Sequence, residues 1–283
     1  MTSQPRPRPH RSPGTRAGPP RLVASDLDGT LLRTDGTVSP RTRQVLAAVE
    51  ESGTTVVFAT GRPPRWLRHI ADATGHRGIA VCSNGALVYD LHTERVVDSY
   101  PLAPEIGLAV VDAIRAAIPG VSFGVEFGET FGHEETYEPH GDFSDQTFVG
   151  EVTELFGRQP AVKLLARHNG HDAGVLLAKA SEVAGDLAEL TFSGVGGLLE
   201  ISAPGISKAT TLAAFCAERG ITAEEVVAFG DMPNDLAMLS WAGTGYAMAG
   251  AHPDVLAAVD GRCPGNDEDG VAVVLDKIFG FHD

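Results

Sequence analysis

The chain has 283 residues, of which 43% are hydrophobic and 21% are charged, and its formal net charge is −15. This length suits one large or two modest domains, and the acidic balance argues against the clustered basic face of a nucleic-acid-binding protein. Three widely separated cysteines fit neither a disulfide framework nor a zinc motif, and no stretch approaches the roughly 18 apolar residues of a membrane span. We therefore expect a soluble, cytoplasmic protein without nucleic-acid or membrane partners; nothing indicates its oligomeric state.

The first segment, residues 1–20, is rich in proline and arginine and lacks the hydrophobic stretch of a secretory signal. We predict a disordered, solvated tail. An arm that binds phosphate, a protein partner or RNA is the alternative. The folded part is expected to begin near residue 21.

Four short apolar runs are predicted to form the strands of a parallel sheet. Each run is continuous rather than alternating, and helical patterns such as Pro40–Glu51 separate them, which is typical of strands buried on both faces. In chain order the runs are Leu22–Asp26, Thr55–Thr60, Ile79–Cys82 and Val226–Phe229. The sequence therefore predicts an α/β fold built on a parallel sheet.

The segment from residue 86 to residue 199 has a different pattern, in which strand-like segments alternate between apolar and polar residues. These segments are Ala86–Tyr89, Arg95–Leu102, Val121–Phe127 and Ala161–Ala166, with helical patterns near Pro104–Ile118 and His171–Ala184. We predict an inserted α+β layer, from which the chain returns to the core through Leu198–Ile201. The predicted domains are a tail at 1–20, a core at 21–85 and 200–283, and an insert at 86–199.

A polar residue stands at or just after the end of each predicted core strand: Asp26, Thr60, Ser83 and Asp231. The carboxyl ends of parallel strands share one edge of the sheet, and ligands bind in the crevice outside that edge. We therefore expect these four residues to converge on one site.

Asp26 and Asp28 are the central pair of that predicted site. They lie two residues apart, so both carboxylates can face the same side of an extended chain. One can attack a phosphorus atom while the other handles the proton of the leaving oxygen. A calcium-binding loop is the alternative, but it would need a glutamate at position 37, which is threonine.

Asp231, Asn234 and Asp235 supply further polar groups after the last of the four strands. Oxygen ligands from Asp26 and Asp231, with water and a substrate phosphate, suit octahedral Mg²⁺. The metal would offset the repulsion between the carboxylates and the phosphate. Asn234 and Asp235 would orient the site, although capping of the next helix is an alternative role.

Lys208 is the candidate cation of the site. It stands at the start of a predicted helix, where it can keep Asp26 ionised and contact the phosphate. The hydroxyl of Thr60 could donate a hydrogen bond to the same phosphate. A lysine at a helix start is usually solvated, and a threonine at a strand end is common. Each residue is therefore weak evidence for a phosphate site by itself, and only its combination with the acidic residues supports one.

In this order the motifs resemble those of the haloacid-dehalogenase superfamily. The four segments are Asp26-Leu-Asp-Gly-Thr30, Thr60-Gly-Arg62, Lys208 and Gly230-Asp-Met-Pro-Asn-Asp235. The long insertion, with Ser83-Asn-Gly-Ala86 before it, and the segment Asn266-Asp-Glu-Asp-Gly-Val-Ala272 resemble the Cof-type phosphatase branch. The resemblance extends from about Leu22 to the C-terminus.

The resemblance implies a Rossmann-like core with an α/β cap of type IIB, and Mg²⁺-dependent hydrolysis of a small phosphorylated metabolite through an aspartyl-phosphate intermediate. By motif position, Asp26 would be the nucleophile, Asp28 the general acid and base, and Lys208 a phosphate-binding catalytic residue. The metal ligands would be Asp26, the backbone carbonyl of Asp28, Asp231 and Asp235. The groups expected to contact the substrate or its phosphate are Thr60, Gly61, Ser83, Asn84 and Asn234.

Two alternatives remain beside a phosphatase: a phosphotransferase or phosphomutase on the same scaffold, and a non-catalytic protein that binds a phosphorylated ligand. The presence of Asp26, Asp28, Lys208 and Asp231 together favours an enzyme. Gly250 stands where the family usually has asparagine, so the outer substrate contacts are expected to differ.

One stretch of the predicted insert is rich in acidic and histidine residues. Its spacing matches no metal motif, so we predict a solvated acidic loop rather than a second metal site. The residues are Glu126, Glu129, His133, Glu134, Glu135, His140, Asp142 and Asp145. We expect the insert to select the substrate, but its sequence shows no pattern that names that substrate.

Overall fold

The computed structural model describes residues 18–139, 147–194 and 196–281, so residues 1–17 of the predicted tail lie outside it. The described residues form fourteen strands in two sheets. The strands are β1 (Leu22–Ser25), β2 (Thr55–Ala59), β3 (Ile79–Cys82), β4 (Leu87–Asp90), β5 (Arg95–Ser99), β6 (Ser122–Glu126), β7 (Phe131–His133), β8 (Thr147–Val149), β9 (Lys163–Arg167), β10 (Glu189–Thr191), β11 (Leu198–Ser202), β12 (Val226–Gly230), β13 (Thr244–Met248) and β14 (Gly261–Cys263).

Nine α-helices connect or flank these strands in the described parts of the chain. They are α1 (Pro40–Glu51), α2 (Arg68–Thr74), α3 (Pro104–Ala117), α4 (Val152–Phe156), α5 (Ala173–Ala184), α6 (Lys208–Glu218), α7 (Leu236–Trp241), α8 (Pro253–Ala258) and α9 (Gly270–Phe279). None of the helices described here is both long and apolar enough to cross a membrane.

The first sheet has eight strands in the order β14-β13-β12-β1-β2-β3-β4-β5. Neighbouring strands from β14 to β3 pair in parallel, whereas β4 and β5 pair antiparallel. Every residue of the central strand β1 is buried, as expected for a continuous apolar run between two paired neighbours. The predicted α/β fold with a parallel-sheet core is confirmed.

Four adjacent strands of this sheet, β12, β1, β2 and β3, end together at one edge. The N–H of Asp26 donates to the carbonyl of Phe229 over 3.0 Å, and the N–H of Thr60 donates to that of Val81 over 2.8 Å. Hydrogen bonding therefore continues to the last residue of each strand. The polar residues that follow the strands are held side by side, as the parallel arrangement predicts.

The second sheet has six strands in the order β10-β11-β9-β6-β7-β8. All its neighbouring strands pair antiparallel except β7 and β8. Alternate residues of β6, β9 and β11 are apolar and pack with α3 and α5 in a second hydrophobic core. This sheet with its helices is the inserted α+β layer.

The boundaries of this layer differ from the predicted ones. We assigned Ala86–Tyr89 and Arg95–Leu102 to the insert, but β4 and β5 pair with the first sheet. Only the short turn at Ser83–Gly85 joins β3 to β4, and so short a connection favours antiparallel pairing with the preceding strand. At the other end, Leu198–Ile201 does not return the chain to the core, since β11 pairs with β9 and β10 in the second sheet.

The turn after β3 sets the position of α6. Gly85 has a φ of +106°, and a Cβ atom on it would lie 2.3 Å from the carbonyl oxygen of Ser207. Its own carbonyl accepts a hydrogen bond from the Thr211 hydroxyl over 2.8 Å. The helix begins at Lys208, and the Ser207 side chain caps it by accepting from the N–H of Thr210. Glycine at position 85 is therefore needed for Lys208 to reach the strand edge.

We predict that Gly85→Ala destabilises the fold by more than backbone strain alone. Gly36 offers a matched control, because its φ is +79° but no atom lies within 4 Å of its would-be Cβ. Gly36→Ala should lower the free energy of unfolding by about 1 kcal/mol, and Gly85→Ala by about 2 kcal/mol more. Chemical denaturation measures both. Equal losses would show that the contact with Ser207 is relaxed at little cost.

Candidate active site

Lys208 lies between two carboxylates at the edge of the first sheet. Its Nζ donates to Asp26 Oδ1 over 2.7 Å and to Asp235 Oδ1 over 2.8 Å. All three residues are buried, and Lys208 is only 1% exposed. Residues that are 182 and 27 positions away from Lys208 in the chain thus meet at one cation.

Asp231 adds a third carboxylate. One oxygen from each of Asp26, Asp231 and Asp235 lies within 4.8 Å of the others. Thr30 donates its hydroxyl to Asp231 Oδ1 over 2.9 Å, and the N–H groups of Asp231 and Met232 donate to Asp235 Oδ2. These hydrogen bonds fix the orientation of the cluster.

The buried charges of the cluster are not balanced. Burial raises the pKa of Asp26 well above its ordinary value, against the opposing effect of Lys208. Burial, followed by the charge of Asp235, raises the pKa of Asp231 to about 7. Burial alone would lower the pKa of Lys208, but Asp235 and Asp26 outweigh it and raise that pKa. Three carboxylates with one lysine leave excess negative charge at this point.

The donor set of this cluster fits a hard divalent cation. Lys208 and two N–H groups already engage both oxygens of Asp235. By contrast, no described group donates to Oδ2 of Asp26 or of Asp231. Carboxylate oxygens free of hydrogen bonds are the ligands that Mg²⁺ prefers. Asp26 and Asp231 would therefore hold the ion, with Asp235 beside it.

Asp28 makes no hydrogen bond with this cluster and is paired with Arg62. The guanidinium donates to both carboxylate oxygens, over 2.7 Å from Nε and 2.5 Å from Nη2. Such a two-bond pair fixes the plane of the carboxyl group. The Asp28 side chain keeps 56% exposure, so it is open to a bound substrate. Arg62 was not among the predicted site residues, although it belongs to the motif Thr60-Gly-Arg62.

The residues predicted to bind phosphate lie around the same strand edge. Thr60 is buried, and its hydroxyl accepts from the N–H of Arg62 over 3.1 Å. Asn234 Nδ2 donates to Asn84 Oδ1 over 3.1 Å. The remaining polar atoms, Ser83 Oγ, Asn84 Nδ2 and Asn234 Oδ1, are buried and have no hydrogen-bond partner among the described residues. Ser83 and Asn84 also have positive φ angles, a strained arrangement that is common at ligand sites.

A cavity of about 660 Å³ opens above this edge, between the two sheets. Of the predicted site residues, Asp26, Asp28, Gly61 and Asn234 line it, whereas Thr60, Ser83, Asn84, Lys208, Asp231 and Asp235 do not. The other lining residues are Arg62, Pro63, Trp66, His69, Glu126, Tyr137, Lys163, Leu165, Arg167, Ser193, Leu198, Glu200 and Met232. Gly250 is exposed and does not line it.

The prediction of a solvated acidic loop is wrong for two of its residues, Glu126 and Glu134, which are buried. Glu126 also lines the cavity. Glu126 is 3% exposed and lies 2.9 Å from Arg65, which follows strand β2 of the first sheet. Glu134 is buried, pairs with Arg115 and accepts from the N–H of Phe123. Glu129 and Glu135 are exposed, and His140, Asp142 and Asp145 lie outside the described residues.

A lysine of the second sheet contacts the segment Thr60-Gly-Arg62, which is called the phosphate loop below. Lys163 Nζ donates to the carbonyl of Gly61 over 2.7 Å and to Glu200 Oε1 over 2.6 Å. The sequence signal that could have identified this side chain is the alternation of charged and apolar residues along β9 and β11. Lys163 and Arg167 lie on one face of β9, and charges on one face of a buried strand indicate that this face binds something other than solvent.

Residues 23–275 match the family described as haloacid dehalogenase-like hydrolase. The chain is 28% identical to the putative phosphatase YxeH of Bacillus subtilis (strain 168), over 91% of this chain and 98% of that protein. It is 30% identical to the HMP-PP phosphatase of Cronobacter sakazakii (strain ATCC BAA-894), over 84% of this chain and 87% of that one. In fold it resembles a solved subclass IIB sugar phosphatase, with a TM-score of 0.76, 22% identity, and coverage of 93% and 100%.

We predict that Mg²⁺ stabilises the folded protein more at about pH 8 than at about pH 5. Because the pKa of Asp231 is raised to about 7 from 3.8, the folded state binds more protons than the unfolded chain between these values. Without metal, stability should therefore fall as the pH rises through this window, and a bound cation should offset the loss. Thermal unfolding with and without Mg²⁺ measures the difference, and Asp231→Asn should remove most of it. A Mg²⁺ effect that is equal at both pH values would exclude Asp231 as the titrating ligand.

Removing the buried cation should be costly. Lys208→Met leaves Asp26 and Asp235 buried without their shared partner, and we expect a loss of about 3–5 kcal/mol in the free energy of unfolding. Part of this loss should be recovered at low pH, where the carboxyls are protonated. Lys179→Met, which changes an exposed lysine of α5, is the control and should cost far less. A loss below about 1 kcal/mol for Lys208→Met would contradict the central role of this pair.

Proposed function

The chain belongs to the haloacid dehalogenase-like hydrolase family, in its Cof-type branch, and from this we propose a magnesium-dependent phosphatase that acts through a phosphorylated Asp26. One observation carries the proposal. The buried carboxylate of Asp26 is held by Lys208 next to a cluster of metal-binding type, and it lines a cavity that also exposes Asp28. The proposed nucleophile and acid therefore face one space, and Lys208 contacts the nucleophile without lining that space.

Asp26 and Asp28 have different roles in the proposed reaction. A carboxylate oxygen of Asp26 attacks the phosphorus atom of the ester, and the bond from phosphorus to the leaving oxygen breaks. Asp28 gives its proton to that oxygen as it departs. Asp28 then takes a proton from a water molecule whose oxygen attacks the phosphorus of the aspartyl phosphate. Inorganic phosphate leaves and Asp26 is restored.

The surrounding residues place these groups. Lys208 holds the Asp26 carboxylate in place by donating to its Oδ1. Arg62 fixes the plane of the Asp28 carboxyl. The Ser83 hydroxyl and Asn84 Nδ2, which have no partner among the described residues, are the donors proposed to bind the phosphate oxygens. A Mg²⁺ ion on Asp26 and Asp231, with the Asp28 carbonyl as a further ligand, would neutralise charge on the phosphate.

The substrate is proposed to be a small phosphorylated metabolite. A cavity of about 660 Å³ lies within the range of roughly 300–1,000 Å³ that is typical of small-molecule sites. It leaves room for a leaving group well beyond the phosphate itself. The similar proteins are named for HMP-PP and sugar phosphates, which are molecules of this class. We propose that residues of the second sheet select among such substrates.

We predict that Asp26→Asn abolishes turnover. An amide oxygen does not form the phosphoenzyme, so phosphate release from p-nitrophenyl phosphate with Mg²⁺ should fall by at least about a thousandfold. Asp28→Asn should be slower on an alkyl phosphate than on p-nitrophenyl phosphate, whose leaving group needs no proton. Asp254→Asn, which changes an exposed residue, is the control. Near-normal release by Asp26→Asn would disprove the covalent mechanism, and full activity of the wild type after chelation would disprove the metal requirement.

A further inference from the structure

The cavity-facing side of the second sheet carries charges where a buried sheet normally carries apolar residues. On β6, β9 and β11 one set of alternate side chains packs against helices: Phe123, Val125, Leu164, Ala166, Leu199 and Ile201. The other set faces the cavity: Glu126, Lys163, Leu165, Arg167, Leu198 and Glu200. The charged members are between 3% and 8% exposed. Charges buried to this degree need a partner or a ligand.

Three of these four charges have partners. Glu126 pairs with Arg65 over 2.9 Å, and Lys163 pairs with Glu200 over 2.6 Å. Burial raises the pKa of Glu200, but Lys163 and further hydrogen bonds outweigh it and hold that pKa below its ordinary value. Each of these pairs is therefore internally neutralised.

Arg167 is the exception. Its side chain forms no ion pair with any described carboxylate, and its buried Nε has no hydrogen-bond acceptor. The residue is 8% exposed and lines the cavity. Its guanidinium lies over the ring of Tyr137, 5.5 Å from the ring centre. A guanidinium always carries its charge, so a positive charge without a carboxylate partner in the described parts of the chain faces the cavity.

Tyr137 does not neutralise Arg167. Burial raises the pKa of Tyr137 to about 12, despite the opposing charge of Arg167. The tyrosine therefore remains a neutral phenol, which can stack on the guanidinium but adds no negative charge. When Arg65, the partner of Glu126, is counted with the four charges of this face, one cation is in excess.

We propose that Arg167 binds an anionic group on the leaving group of the substrate, separate from the phosphate that is removed. The inference rests on the proposed phosphatase function and narrows its substrate class to phosphomonoesters that carry a carboxylate or a second phosphate. Position supports a separate group. Lys163 contacts the Gly61 carbonyl in the phosphate loop, and Arg167 lies four residues further along β9, which is about 13 Å at the usual strand rise.

Matched non-hydrolysable ligands test the proposal on the wild-type protein with Mg²⁺. Alkylphosphonates and the corresponding ω-carboxyalkylphosphonates, over a series of chain lengths, differ only in the distal carboxylate. Calorimetry should show that the carboxylate strengthens binding by roughly 30-fold or more at one chain length. Bisphosphonates of the same lengths show whether a second phosphate is preferred. The absence of a gain from either distal anion at every length would overturn the proposal.

Variants then assign the gain to Arg167. Arg167→Gln should remove it and leave the binding of plain alkylphosphonates within about twofold, and Arg167→Lys should restore part of it. Arg158→Gln, which changes an exposed arginine of the same layer stacked on Phe148, is the control and should keep the gain. Equal weakening of both ligand series by Arg167→Gln would mean that the residue is structural, and the proposal would fail.

Because phosphonates are not cleaved, these measurements do not depend on turnover. Hydrolysis of p-nitrophenyl phosphate reports separately on the proposed function, and Arg167→Gln should keep its kcat/KM within about threefold, since this ester lacks a distal anion. A wild-type protein that shows the carboxylate-dependent gain in binding but releases no phosphate from any ester would refute the phosphatase and leave the anion site standing. Hydrolysis of an ester by a wild-type protein that shows no carboxylate-dependent gain in binding would support the phosphatase and refute the anion site.

Discussion

The site depends on a lysine that is buried between carboxylates. Lys208 is 1% exposed, yet it is charged because Asp26 and Asp235 lie within 2.8 Å of its Nζ. Removing such a group from water costs several kcal/mol, and only close, hydrogen-bonded partners offset that cost. The arrangement is therefore tightly constrained. The three residues meet only if strand β1, helix α6 and the turn after β12 have their present boundaries.

The same constraint explains why the cluster suits a metal. Lys208 balances about one of three buried carboxylates, and burial, followed by the charge of Asp235, raises the pKa of Asp231 to about 7. A divalent cation would relieve this repulsion, and so would protons at low pH. The cluster is thus less favourable by itself than with a bound cation, a cost in stability that is common at functional sites.

The two sheets are joined by polar contacts at the cavity rather than by apolar packing alone. Lys163 of the second sheet donates to the Gly61 carbonyl, and Arg65 beside the first sheet donates to Glu126 and to the carbonyl of Gly128. The loop that follows β2 therefore contacts the inserted layer at two points, through Gly61 and through Arg65. A change in the position of that layer would shift Arg62 and, through its hydrogen bond, Asp28.

The sequence by itself determined the parallel core and much of the site, because both follow from local patterns. Continuous apolar runs indicated buried strands, and the polar residues at their ends marked one edge, where the structure brings Asp26, Asp231 and Lys208 together. Tertiary structure alone decided which sheet each strand joins. It placed β4 and β5 in the first sheet, since strand pairing depends on the three-dimensional neighbour rather than on the pattern of one strand. It also decided which charges are buried and paired. Glu126 has a partner in a distant segment and Arg167 has no carboxylate partner among the described residues, a difference that depends on contacts between segments far apart in the chain.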